Sequence, residues 1–106
     1  MSGAANPARG EAALAVAGRA LKVRPSFQAL VAAEEELGPL LSLVERAGAG
    51  QLSVRELVAL IWHCLDDAPP AITRERLGEA IVEAGIAAAM PVLKTLVRQI
   101  LGGRGD

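Results

Sequence analysis

A strand cannot run on through Leu21-Lys22-Val23-Arg24-Pro25-Ser26-Phe27, and the way it stops organises the first third of the chain. Pro25 has no N–H to give a strand ladder and holds Arg24 in extended geometry. Ser26 follows as a helix N-cap, able to accept a backbone N–H, and Gly38 supplies the left-handed stop. The spacing predicts a helix over about 26–37 with Phe27, Leu30, Val31 and Leu37 on one apolar face. Glu34 falls in the middle of that face. Burying it unpaired would cost several kcal/mol, so it is expected either to reach water at the edge of the stripe or to pair with a basic residue such as Arg24 or Arg55, with a polar contact in an interface as the functional alternative.

Upstream of the stop, Ala12–Ala17 and Ala20–Arg24 read as a hairpin joined at Gly18-Arg19, with glycine at the first position of a type II′ turn. That turn pairs Ala17 with Ala20, Val16 with Leu21 and Leu14 with Val23. It places Leu14, Val16, Leu21 and Val23 on one face, which must dock on helices because a lone hairpin is marginal in water.

Downstream, helical signals dominate. A short helix is expected at about 39–47, with Pro39 in its first turn and Gly48-Ala49-Gly50 as its break. Ser53-Val54-Arg55-Glu56 is a capping box opening a helix to about Asp67. Val54, Leu57, Val58, Ile61, Cys64 and Leu65 recur along it at helical spacing, and Leu60 and Trp62 widen the stripe. This marks it as the central helix. Pro69-Pro70 ends it. Thr73 caps a fourth helix to Gly85, burying Leu77, Ala80, Ile81 and Ala84, and a last helix is expected at about 88–101. Residues 1–10 and 102–106 read as disordered ends. The expected fold is α+β and mainly α: a single domain over 11–101, with an N-terminal hairpin packed on four to five short helices.

Composition narrows the function. Hydrophobic residues make up 52% of the 106, yet aromatics only 2%, so the core must be Leu, Val, Ile and Ala. A net charge of −1 provides no global field for nucleic acid or a membrane surface. Cys64 is the one cysteine, which rules out an internal disulfide and suits a reducing compartment. Residues 1–10 lack the apolar run of a signal peptide, and charged residues interrupt every apolar stretch before transmembrane length. The expectation is a soluble protein of a reducing cytoplasm.

Candidate chemistry is thin. His63 and Asp67 share a helix face, but no other His or Cys completes a metal shell. No phosphate loop or nucleophile elbow occurs, and Ser26, Ser53 and Thr73 read as caps, so neither an enzyme nor a cofactor is expected. Arg74, Arg76 and Arg98 suggest a basic patch, yet Glu75, Glu79 and Glu83 line the same helix as the first two and oppose phosphate binding. Arg104-Gly105-Asp106 spells an adhesion tripeptide in a terminal tail.

The series Arg24-Pro25-Ser26-Phe27, Ala29-Leu30, Glu34, Leu37-Gly38, preceded by a glycine-turn hairpin, resembles the gene transfer agent family of phage-type tail assembly chaperones. Ser26 stands where that family commonly has Thr, and Ala33 where a larger aliphatic is usual. The resemblance implies a non-enzymatic helper that binds the tape measure protein and the tail tube protein, with a homo-oligomer possible. The surface expected to hold a partner helix is the last helix, through Met90, Leu93, Val97, Ile100 and Leu101. Two other readings are a structural head–tail adaptor subunit and a small helical DNA-binding regulator.

Overall fold

The computed structural model describes residues 12–16, 19–66 and 68–103. Two antiparallel strands, β1 (Ala12–Val16) and β2 (Arg19–Val23), lead into helix α1 (Phe27–Leu37), α2 (Leu40–Gly48) and α3 (Val54–Cys64). A two-residue strand, β3 (Leu65–Asp66), then α4 (Arg74–Ala84), a 3-10 turn (Ile86–Ala89) and α5 (Met90–Gly102) complete the order. The architecture is α+β and mainly α.

β2 is the middle strand, with β1 on one side and β3 on the other. Leu14 faces Leu21, Ala15 faces Ala20 and Val16 faces Arg19. This register is two residues away from the one the glycine turn suggested, so Leu14 does not pair with Val23, Val16 does not pair with Leu21, and Arg19 lies in β2. A shift of two leaves every side chain on its original face, so alternation cannot detect it. Leu14, Leu21 and Val23 are accordingly all buried. Ala17 and Gly18 lie outside the described residues.

The third strand was not expected. Lys22 faces Asp66 and Val23 faces Leu65, and the Arg24 N–H donates to the Cys64 carbonyl at 2.7 Å. α3 therefore ends at Cys64, short of the predicted end, because Leu65 turns extended (φ −62°, ψ 131°) and gives its backbone to the sheet. Asp67 lies outside the described residues.

The caps behave as their residue types dictate. Ser26 Oγ accepts the Ala29 N–H at 3.2 Å, and Gly38, at φ 89°, donates its N–H to the Glu34 carbonyl. Ser53 and Glu56 form the reciprocal capping box, at 3.1 and 3.0 Å. Thr73 Oγ1 accepts the Arg76 N–H.

α3 is the core of the molecule: Leu57, Val58, Ala59, Leu60, Ile61 and Cys64 are all buried. α1 packs on it through only half of the predicted face. Ala29 and Ala33 are the buried residues, flanked by the half-buried Leu30 and Leu37, while Phe27 and Val31 point outward. Alanines let the two helix backbones approach closely, and this rotates the bulkier side chains away. α4 buries Leu77 and Ile81 but exposes Ala84. A Cβ at Gly78 would sit 3.5 Å from Val58, so α4 also lies close to α3. α5 begins at Met90, after the 3-10 turn, and buries Val92, Leu93 and Leu96. Its last residue, Gly102, was expected to belong to a disordered tail. Residues 1–11 and 104–106 lie outside the described residues.

Candidate partner-binding surface

A cavity of about 130 Å³ opens where the α2–α3 loop, the start of α3 and the start of α5 meet. Ala47, Leu52, Val54, Leu57, Ile86 and Met90 line it, with Leu93 at its base. Gly50, at φ 72°, lets the loop turn beside it. Val54 and Ile86 on the rim are 44% and 37% exposed, so the cavity is accessible, and apart from Ser53 and the Gly50 backbone its lining is apolar. A space of this scale accepts one apolar group, since a closed cavity of about 150 Å³ is enough for a small aromatic ring.

The five α5 residues expected to hold a partner do not form one exposed surface. Leu93 is buried, Met90, Val97 and Ile100 are half-buried, and Leu101 is 63% exposed. Met90 and Leu93 reach the cavity, whereas Leu101 lies at the far end of α5. The cavity joins two of the predicted residues to Val54, which periodicity assigns to the apolar stripe of α3 but which is exposed, and to Ile86, which no motif singles out. Their signal was an apolar residue at a helix N-terminus and another after a glycine stop, both places where packing does not require one.

The signature residues of the junction divide between scaffold and surface. Pro25, Ser26, Leu30, Leu37 and Gly38 shape and seat α1, and Arg24 extends the pairing of β2 through its N–H. Phe27 is 81% exposed. Glu34 is exposed and reaches water, one of the two expected outcomes, and it pairs with neither Arg24 nor Arg55 among the described residues. Its Oε2 accepts the Leu40 N–H at 3.0 Å and so caps α2, whose N-cap residue, Pro39, has no side chain able to do this.

Among the described residues two ion-pair groups brace the helices. Arg46 of α2 pairs with Glu56 of α3. Its hydrogen bond, with those from Ser53, holds the Glu56 carboxyl down at about 2. Glu36 of α1 bridges Arg74 and His63 and is likewise lowered to about 2, mostly by Arg74. The Arg74 guanidinium carbon lies 6.0 Å from the Trp62 ring centre. Arg74 is thus engaged within the fold. Among the described residues no cluster of three His, Cys, Asp or Glu is placed to hold a metal ion. Burial raises the Cys64 thiol to about 12.

No helix among the described residues is by itself long and apolar enough to cross a membrane. Comparison with curated proteins and with solved structures gives no match. The family described as "phage tail tube protein, GTA-gp10" matches residues 9–103, a span that takes in every residue described above. The chain belongs to this family of phage and gene transfer agent tail proteins.

Proposed function

We propose that this protein is a non-enzymatic tail assembly chaperone of a phage-like gene transfer agent, acting in the bacterial cytoplasm. In this reading it binds the tape measure protein and aids assembly of the tail tube. The observation that carries the reading is the open apolar cavity between α3 and α5, with Val54 and Ile86 on its rim. An amphipathic helix can set one aliphatic side chain into such a cavity and lay its apolar stripe across the rim. A long helical partner that repeats this pattern would be kept from aggregating by several copies of a small binder. The small domain leaves the partner's polar side in water, as a transient holder requires.

The family description favours a second reading, a subunit of the tail tube itself. Quantitative mass spectrometry of purified particles separates the two. A chaperone is absent from finished particles and co-purifies with the tape measure protein when the two are co-expressed. Recovery of this chain in many copies per particle would overturn the chaperone reading in favour of the tube.

A further inference from the structure

The outer faces of α1 and α5 carry opposite charge in a matching order. α1 holds Glu34, Glu35 and Glu36 and no basic residue, and its exposed side presents Phe27, Val31, Glu34 and Glu35. α5 holds Lys94 and Arg98 and no acidic residue, and its exposed side presents Lys94, Arg98 and Leu101. At about 100° per residue, the four α1 residues fall within about 100° of the helix circumference and the three α5 residues within about 60°. Each set is therefore a single face. Among the described residues, Glu35, Lys94 and Arg98 form no ion pair. Phe27 and Leu101, at 81% and 63% exposure, are two of the most exposed large apolar side chains.

The spacing also agrees. Phe27 and Glu34 are separated by the same number of residues as Lys94 and Leu101, about 10 Å along a helix. The order is reversed: the apolar residue lies at the N-terminal end of α1 and at the C-terminal end of α5. Within one molecule the two outer faces do not occupy each other, since α1 packs on α3 and α2 while α5 packs on the 3-10 turn and β1.

We propose that α1 of one molecule docks antiparallel on α5 of a second copy. Phe27 then meets Leu101, Val31 lies under the aliphatic stem of Arg98, and Glu34 and Glu35 face Lys94. Antiparallel packing also sets the helix dipoles head to tail. The apolar part is small, so charge fixes the register and makes the contact salt-sensitive. The contact uses neither Val54 nor Ile86, so its failure leaves the cavity reading untouched.

Sedimentation velocity on the full chain tests this. Mass should rise with concentration at about 0.05 M salt and fall back toward monomer at about 0.5 M, where screening shortens the reach of these charges. Glu35→Lys alone, or Lys94→Glu with Arg98→Glu, should weaken association about tenfold or more, with thermal unfolding unchanged because all three sites are exposed. An equimolar mixture of the two variants should regain it, because the unchanged α5 of the first meets the unchanged α1 of the second and the two reversed faces meet each other. Phe27→Ala should weaken it without changing its salt dependence. A monomer at every concentration in low salt overturns the proposal. So does association indifferent to these substitutions, or a mixture that stays dissociated.

Discussion

Glu36 Oε1 on α1 receives His63 Nε2 of α3 at 2.7 Å, while the other oxygen of the same carboxylate receives Arg74 of α4 at 2.6 Å. One side chain thus ties together three helices that are distant in sequence. The side chain of Glu36 is 36% exposed and that of Arg74 41%, so water screens the pair and its contribution is modest. Its use lies in fixing how α1 and α4 sit on α3. Glu36→Gln should lower the melting temperature slightly, and Arg74→Gln should do the same. The double variant should lose less than the sum, as expected for residues in one network. Strict additivity by calorimetry would show that the three helices are not coupled through this carboxylate.

Acid should weaken the fold over a defined range. Glu36 and Glu56 are both held down from 4.5 to about 2 by their arginine partners. A carboxylate lowered in the folded state stabilises it fully above its unfolded value, and that contribution is lost as pH falls through the folded value. The urea midpoint should therefore fall between about pH 4.5 and 2. The fall should be shallower in the Glu36→Gln, Glu56→Gln double variant. An identical pH slope in that variant would assign acid sensitivity to other groups.

The capping box makes a more local demand. Ser53→Ala removes the acceptor of the Glu56 N–H and half of a reciprocal pair. The expected cost is about 1 kcal/mol, measured as a shift in the denaturation midpoint with unchanged slope. Ser53→Thr should restore most of it.

Cys64 offers a probe of opening. The thiol is 1% exposed, and burial raises it to about 12, so thiolate is scarce in the native state. Modification by a thiol reagent should be slow in native buffer and rise with urea in step with unfolding. Fast labelling of the native protein would mean that the junction of α3 and β3 opens independently of the rest.

The parts of the fold that read correctly from sequence are those where a local rule acts alone. Ser26, Ser53 and Thr73 cap because their hydroxyls reach an N–H three residues on, and α3 is central because its stripe wraps most of the helix. Other features needed information from across the chain. The hairpin register differs by two, which keeps Leu14, Leu21 and Val23 inward and so leaves no mark in the pattern. β3 exists because β2 had a free edge beside the end of α3. The inner face of α1 is set by how closely α3 approaches, which favours Ala29 and Ala33 over Phe27 and Val31. Glu34 caps α2 only because the intervening turn brings its carboxylate back to Leu40. For the cavity, the sequence names Met90 and Leu93, which line it, but not the opposite wall, since Val54 lies in a different helix. Periodicity marked α5 as apolar without separating core from surface.

That separation gives the sharpest test of the cavity. Leu93 is only 8% exposed, so Leu93→Asp places a charge in the core. The cost is several kcal/mol, a large fraction of the roughly 5–15 kcal/mol that holds a typical domain together. That variant should be largely unfolded by circular dichroism, and its loss of binding would carry no information about the surface. Val54 is different. It is the first residue of α3, 44% exposed, where an acidic side chain is favoured by the helix dipole. Val54→Asp should therefore hold stability within about 0.5 kcal/mol while placing a carboxylate on the apolar rim. Co-purification with the tape measure protein should drop at least tenfold with the far-ultraviolet spectrum unchanged. Undiminished co-purification by folded Val54→Asp would remove the cavity from the binding surface.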